Sequence, residues 1–315
     1  MPLPAYQETW KGSINTVTLG AAGNGCRTVT LGGHTTLPFL QFEGQTRAPA
    51  IALEVWDRAP GGWAAPLVSA WGDVLKDPVA WARRGVEELG VDIICLRLVS
   101  ASPDLENATP DACCKVARAV ADAVPVPLFI WGCDDNAKDN EVLAAVSREL
   151  KGRNFLFGMA EEDNYRTLTV SCLADGHAIV ALSPLDINIQ KQVNILVADM
   201  GFPPERIVDY PTTGGLGYGL EYAYSMMERA RLAALGGDKM MAMPVLAIVG
   251  AETWKAKESI ASDEIAPGWG PLADRGPTWE STTATGFLQA GVDVLVMRHP
   301  TAIKAVQKTI SSLMS

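Results

Sequence analysis

Four glycines stand close together in the middle of the chain, at positions 214, 215, 217 and 219, directly after Thr212 and Thr213. Glycines leave backbone amides uncovered, and uncovered amides can meet an anion or an amide carbonyl of a ligand. A turn that needs glycine only for its backbone angles would use the same residues. Neither a Walker phosphate loop nor a dinucleotide fingerprint fits, because no Lys-Ser/Thr pair follows and the glycine spacing differs.

The segments on either side predict what positions these glycines. The apolar run 206–209 ends in Asp209 and is stopped by Pro211, as in a buried strand. After the glycines, apolar residues recur at helical spacing from Leu220 to Ala234. The glycine segment is therefore predicted to join a strand to the N-terminus of a helix.

The same alternation of strand and helix runs from residue 49 to residue 315. Capping residues before helix-like segments mark the helix starts, at Asp77, Thr109, Asp139, Asp163 and Asp186. The eight predicted strands are 51–55, 93–98, 126–130, 155–158, 179–182, 206–209, 245–249 and 292–297. This pattern predicts the α/β class and a (β/α)8 TIM barrel over residues 49–315, with a doubly wound open sheet as the alternative.

Residues 1–48 do not continue that alternation. Segments 13–19 and 26–31 have the pattern of two strands joined by a glycine-containing turn at 20–25. We predict an N-terminal β-hairpin extension that closes the bottom of the barrel. His34 follows it without a second histidine nearby, which favours a structural role.

Two of the loops predicted at the functional mouth of the barrel are long and rich in tryptophan. Loops 56–76 and 250–275 hold five of the nine tryptophans: Trp56, Trp63, Trp71, Trp254 and Trp269. Aromatic loops at this end predict a large flat ligand or a protein partner. Packing of the tryptophans on one another as a lid is an alternative that does not exclude the first.

The polar residues expected at the same rim form no recognisable catalytic set. They are Asp57, Asp134, Asp135, Asn136, Glu161, Ser183, Asn188, Thr212, Thr213, Glu252, Thr253, Arg298 and His299. No predicted strand contains a lysine, which argues against a Schiff-base aldolase. The six cysteines follow no cluster or zinc spacing, so neither a metal site nor radical S-adenosylmethionine chemistry is predicted.

Composition excludes further classes of function. A net charge of −10 argues against nucleic acid and against an anionic membrane surface as partners. No apolar run approaches a membrane span, and the start of the chain (MPLP) lacks the basic and apolar parts of a signal peptide. We therefore expect a cytoplasmic protein.

Three blocks of sequence carry a resemblance to a known family. They are SPLDINIQKQVNIL at 183–196, GGLGYGLEY at 214–222 and MRHP at 297–300. With them the chain resembles the small subunit of the corrinoid iron–sulfur protein, the methyl carrier of the anaerobic acetyl-CoA (Wood–Ljungdahl) pathway. That family is homologous to the delta subunit of the archaeal acetyl-CoA decarbonylase/synthase complex.

The resemblance implies a carrier subunit without catalytic residues of its own. It implies a heterodimer with a large subunit that holds a four-iron four-sulfur cluster and a corrinoid, with the corrinoid at the interface. It further implies methyl transfer from methyltetrahydrofolate, through a corrinoid methyltransferase, to acetyl-CoA synthase/CO dehydrogenase. The residues predicted to contact the corrinoid are Ser183, Asn188, Thr212, Thr213, Gly214, Gly215, Trp254, Arg298 and His299.

Two other functions are compatible with the residues. The first is a pterin-dependent methyltransferase that binds pterin at its own barrel mouth through Asp57, Asp134, Asn136 or Asn188. The second is a stand-alone lyase or hydrolase barrel. The absence of a strand lysine and of a nucleophile motif counts against it.

Overall fold

The structure is a computed structural model that describes residues 9–315, so the MPLP segment lies outside the described residues. The burial of Asn24 and Gly215 is likewise outside the description. The strands are β1 (Thr16–Leu19), β2 (Val29–Gly32), β3 (Ala50–Trp56), β4 (Ile93–Arg97), β5 (Leu128–Trp131), β6 (Leu156–Ala160), β7 (Ala178–Leu182), β8 (Ile207–Tyr210), β9 (Leu246–Ile248) and β10 (Val294–Met297). The α-helices are α1 (Ala65–Trp71), α2 (Pro78–Leu89), α3 (Pro110–Ala123), α4 (Asn136–Glu149), α5 (Tyr165–Asp175), α6 (Ile187–Asp199), α7 (Leu220–Leu235), α8 (Val249–Thr253), α9 (Lys257–Ile260), α10 (Leu272–Ala290) and α11 (Pro300–Leu313).

Strands β3 to β10 form one parallel sheet in the order β8-β7-β6-β5-β4-β3-β10-β9. The two end strands meet through a parallel bridge between Asp209 and Val245, and the Asp209 N–H donates to the Pro244 carbonyl at 2.8 Å. The sheet therefore closes on itself with helices outside, which confirms the predicted (β/α)8 barrel. Each predicted strand is present within about two residues of its expected bounds, the usual scatter of strand ends.

Strands β1 and β2 pair antiparallel, and the hairpin lies against the loops that precede the barrel strands. The Gly20 N–H donates to the Asn154 carbonyl at 2.7 Å, and the Arg27 N–H donates to the Pro125 carbonyl at 2.8 Å. Val17, Leu19 and Leu31 are buried with the inward side chains of the barrel strands. The hairpin therefore supplies the lowest layer of the barrel core. The division of the chain at residue 48 stays a prediction.

The helix starts depend on capping side chains, and two predicted caps are wrong. Asp77, Thr109 and Asp186 do accept from the first-turn amides of α2, α3 and α6. Helix α4 is capped by Asp135, since Asp139 is buried and accepts from the amides of the loop after β5. Helix α5 has Asn164 rather than Asp163 at its N-cap. In both loops several acidic or amide residues stand together, so residue type alone did not select the cap.

No helix in the described part of the chain is both long and apolar enough to cross a bilayer. Within residues 9–315, no three side chains of the His, Cys, Asp or Glu type come together as a metal site. All six cysteines are free thiols, and four of them are buried.

Candidate functional site

The upper end of the barrel interior is filled by a buried ion pair. Glu54 points inward from β3 and has no exposed surface, and Arg298 follows β10 with 6% exposure. The Arg298 Nε and its terminal nitrogen donate to the two Glu54 carboxylate oxygens at 2.8 and 2.6 Å. Trp56 Nε1 adds a third hydrogen bond to Glu54 at 2.6 Å. A bidentate pair of this kind fixes both side chains in one geometry.

Arg97 lies beside this pair on the next strand, β4. Its guanidinium sits 3.9 Å from the Trp131 ring centroid and 5.7 Å from that of Trp56. It donates to Asp134, and Asp134 also accepts from Trp131 Nε1 at 2.8 Å. Burial disfavours ionised Glu54, but the nearby Arg298 and Arg97 charges outweigh it and lower the Glu54 pKa. The mouth therefore has a charged floor in which both carboxylates are paired, while the buried Arg97 Nε has no hydrogen-bond partner within the described residues.

A second buried carboxylate holds the end of β10 against α10. Glu280 accepts from Trp254 Nε1 at 2.6 Å, from the Arg298 N–H at 2.6 Å and from the His299 N–H. Burial raises the pKa of Glu280 to about 7, and these hydrogen bonds oppose that rise. The Trp254 ring stacks on His299 with centroids 5.7 Å apart. His299 caps α11 through its Nδ1, which accepts from the Thr301 N–H, and burial lowers its pKa to about 4.

The tryptophans of the first long loop pack on one another. Trp56, Trp63, Trp81 and Trp71 form a continuous chain with ring centroids 5.4 to 5.8 Å apart. Trp71 is buried, and its Nε1 donates to the Arg298 carbonyl at 2.8 Å. Of the five loop tryptophans expected at the mouth surface, only Trp269 is classed as exposed. The first-loop tryptophans therefore pack as the lid alternative describes, and the prediction of a ligand or partner surface stays open for the second loop.

The glycine segment is a short 3-10 turn between β8 and α7, as its flanking pattern predicted. Thr213 is buried and donates through Oγ1 to the Ile248 carbonyl at 2.6 Å, which ties the turn to β9. The half-buried Thr212 has a φ of 55° and accepts the Gly214 N–H at 3.2 Å. Around Gly214 the nearest atom to an added Cβ would be Thr212 Oγ1 at 3.4 Å, and Gly217 faces open space. The turn therefore presents an open backbone surface at the rim.

A model of the CO dehydrogenase/acetyl-CoA synthase delta subunit family matches residues 16–312. The acetyl-CoA decarbonylase/synthase complex subunit delta of Archaeoglobus fulgidus is 36% identical over 98% of this chain and 70% of its own length. The chain belongs to this delta subunit family. The Methanopyrus kandleri subunit delta is 35% identical, over 95% of this chain and 75% of its own length. These matches confirm the family resemblance seen in the sequence.

Solved structures show that the delta subunit barrel shares its fold with dihydropteroate synthases. The Coxiella burnetii enzyme, solved with pteroic acid, aligns with a TM-score of 0.59 at 10% identity, over 95% of this chain and 100% of that one. The Xanthomonas albilineans enzyme with 4-aminobenzoic acid aligns with a TM-score of 0.57 at 14% identity, over 87% of this chain and 96% of that one. At these identities the likeness concerns the fold alone.

The nine residues predicted to contact a corrinoid divide into two groups in this delta subunit. The buried ones have roles inside the protein: Ser183, Thr213, Trp254, Arg298 and His299. Ser183, for example, donates to Gln190 Oε1 at 3.0 Å beneath the rim. Asn188 and Gly214 are exposed and Thr212 is half-buried, at neighbouring loops after β7 and β8, while the burial of Gly215 is outside the description. Their contact with a corrinoid stays a prediction.

Sequence reasoning missed four residues that shape the mouth: Glu54, Arg97, Trp131 and Glu280. Glu54 and Arg97 are single charges near the ends of otherwise apolar strands, at positions that face the barrel interior. That combination was the available signal, because an inward charge in a barrel strand must find a partner at the mouth. Nothing in the sequence around Glu280 distinguishes it from a solvent-facing helix residue.

Adding one methyl group at Gly276 tests how tightly Trp254 is held. A Cβ there would lie 2.2 Å from the Trp254 ring, so Gly276→Ala must displace the indole. We expect the free energy of unfolding to fall by about 1–2 kcal/mol, with a changed tryptophan signal in near-ultraviolet circular dichroism. Gly268→Ala is the matched control, since its added Cβ meets nothing within 4 Å. Equal stability of the two variants would contradict the described packing.

Proposed function

We propose that this chain is the corrin-covering subunit of a corrinoid methyl carrier that acts in acetyl-CoA synthesis or cleavage. The observation that carries the proposal is its membership of the delta subunit family along nearly its whole length. The corrinoid supplies a cobalt centre that accepts and donates a methyl group. The proposed partners are a large subunit with the corrinoid and a four-iron four-sulfur cluster, a methyltetrahydrofolate corrinoid methyltransferase, and acetyl-CoA synthase/CO dehydrogenase.

The mouth of the barrel fits a flat ligand that lies across it. The Glu54–Arg298 pair fills the entrance, and two further aromatic residues at the upper strand ends, Trp131 of β5 and Tyr210 of β8, are buried with 7% and 5% exposure. A small substrate would need a pocket at this place, whereas a macrocycle held by a partner needs only a surface. Thr212, Gly214 and the exposed Asn188 offer hydroxyl, backbone and amide groups at the edge of that surface. These groups can pair with the amide side chains of a corrin.

In this role the chain orients the corrinoid and shields it from water, and it takes no part in the methyl-transfer reaction itself. The buried network of Glu54, Arg298 and Glu280 fixes the floor of the mouth, so that the residues above it keep one arrangement. The tryptophan chain of the first loop removes water from one side of that floor. Excluding water protects a strongly reducing metal centre, which is the chemistry that a covering subunit contributes.

The alternative, pterin-dependent methyl transfer at this mouth, has weaker support. Asp57 and Asp134 already accept hydrogen bonds inside the protein, so a pterin would have to share these carboxylates with their present donors. Both oxygens of Asp57 already accept from the backbone and hydroxyl of Ser100. Asp134 accepts from Trp131 and Arg97. Calorimetric titration of the isolated chain with methyltetrahydrofolate separates the two functions, since the covering role needs no binding.

Reconstitution with the corrinoid-bearing subunit tests the proposal directly. We expect the two chains to form a complex with the corrinoid absorbance, whereas the chain alone stays colourless. Gly214→Leu should lower the corrinoid content of the complex while leaving the melting midpoint of the chain unchanged, because its Cβ has room.

Gly23→Leu is the control at the opposite end of the barrel, where an added Cβ meets nothing within 4 Å. Failure of the unsubstituted chain to bind the other subunit would overturn the covering role. A complex of the Gly214 variant with full corrinoid content would remove the glycine turn from the contact surface and leave the covering role in place.

A further inference from the structure

The loop after β9 and the first turns of α10 enclose a groove of about 640 Å³ on the mouth side of the barrel. Trp269 and Trp279 form its apolar part, with 50% and 39% of their surfaces exposed. Ile260 and Ile265 of the same loop are also exposed, at 49% and 79%. Large apolar side chains gathered in this way are unfavourable in water unless a partner covers them.

The groove is built as a rigid surface. Arg275, at its base, is 8% exposed and donates to the Glu258 carbonyl at 3.1 Å, the Ala261 carbonyl at 2.5 Å and the Asp263 carboxylate at 3.0 Å. The same Asp263 oxygen accepts the Leu272 N–H at 2.7 Å. The loop is thus tied to the start of α10 before any partner arrives. A preorganised surface loses little conformational entropy on binding, which favours affinity.

The charges around the groove indicate what kind of surface it fits. Glu258 and Asp274 line it, and Arg275, the one cation that lines it among residues 9–315, is already paired with Asp263. Lys255 lies earlier in the loop and pairs with Glu252 at 2.8 Å. Two carboxylates beside two indole rings complement an apolar side chain flanked by lysine or arginine.

We propose that the corrinoid-bearing subunit docks in this groove, which we call the anchor. An apolar segment of that subunit would contact Trp269 and Trp279, and a basic residue beside the segment would face Glu258 and Asp274. The inference rests on the proposed function, and it adds where on this chain the partner is held. The anchor lies to one side of the barrel mouth, on the unit of β9. The partner therefore binds beside the mouth, and the surface over the Glu54–Arg298 pair remains accessible to the corrin.

Helix α10 connects the groove to the mouth of the barrel. Helix α10 carries Trp279 on its outer side and, one residue later, the buried Glu280 that accepts from the Arg298 and His299 amides. Arg298 in turn holds Glu54. A partner that binds Trp279 therefore contacts the same helix that positions the floor of the mouth.

Binding of the purified corrinoid-bearing subunit from the same source to full-length variants of this chain tests the anchor. Tryptophans at the centre of interfaces are the usual hot spots, so Trp269→Ala and Trp279→Ala should each weaken binding by about 30-fold. Trp10→Ala is the matched control, because Trp10 is 40% exposed but lies at the other end of the barrel, and it should leave the affinity unchanged. Thr278→Arg blocks the groove without removing an indole and should also weaken binding.

A charge-reversal variant tests the electrostatic part of the anchor. Asp274→Lys should slow association and reduce the dependence of the association rate on salt. Glu87→Lys, at the far end of α2, is the control. Normal affinity of the two tryptophan variants and the Thr278 variant, with binding by the unsubstituted chain, would overturn the anchor and leave the covering role intact. An equal loss in the Trp10 variant would also overturn it. Absence of binding by the unsubstituted chain would instead overturn the proposed function.

Discussion

Replacing Glu54 with leucine lowers the free energy of unfolding by about 3–5 kcal/mol, the cost of leaving a buried charge without its partner. Glu54 has no exposed surface and accepts from Arg298 twice and from Trp56 once. Its removal leaves the Arg298 guanidinium in a site that water does not reach. Chemical denaturation followed by tryptophan fluorescence measures the loss, because Trp56 and Trp63 lie against the same guanidinium.

A double-mutant cycle separates the ion pair from simple packing. Arg298→Met alone should be about as costly as Glu54→Leu, while the double variant should recover much of the loss, since neither charge then remains unpaired. Glu88→Leu is the exposed control, in the Arg84–Glu88 pair at 3.0 Å on α2. Pairs of that type contribute only about 0.3–0.5 kcal/mol. Additive costs in the cycle would show that the two side chains do not stabilise each other.

Asp209→Asn is expected to raise the free energy of unfolding relative to the parent as pH increases above the ordinary aspartate pKa. Asp209 points outward from β8 into the layer beneath α6, and 1% of its surface is exposed. Burial raises its pKa well above the usual range, although Asn194 donates to Oδ2 at 3.1 Å. Within the described residues, Oδ1 has no hydrogen-bond partner. Asparagine keeps the acceptor for Asn194 and cannot ionise, and the cost of burying its amide NH2 group does not depend on pH.

The sign of this effect follows from the raised pKa of Asp209. Below the ordinary aspartate pKa, Asp209 is protonated in both the folded and the unfolded chain, and the parent has its full stability. As pH rises, the unfolded chain releases the proton first, so the parent loses stability until pH passes the raised pKa of the folded state. The difference in the free energy of unfolding between the variant and the parent should therefore move in favour of the variant as pH increases from about 4. Asp199→Asn, at the exposed end of α6, serves as the matched control for the same substitution outside the core. A constant difference at all pH values would contradict ionisation as the cause.

Much of this protein was fixed by local sequence pattern. Each barrel strand is a short apolar run, so the eight strands could be recognised within about two residues, while the two hairpin strands begin three residues later than predicted. The turn between β8 and α7 followed from its glycines in the same way. Local conformation depends on residues near one another in sequence, and for this reason the fold class needed no contacts from elsewhere.

The contents of the barrel mouth were decided by tertiary structure. Glu54 and Arg298 are 244 residues apart in sequence, and the parallel pairing of β3 with β10 brings them within 2.6 Å. Contacts with other elements bury Ser183, Thr213, Trp254 and His299 at the same end of the barrel. Residue type cannot distinguish these positions. The sequence by itself thus determined the family and the barrel, while the packing of distant strands and of α10 determined which side chains remain available to a partner.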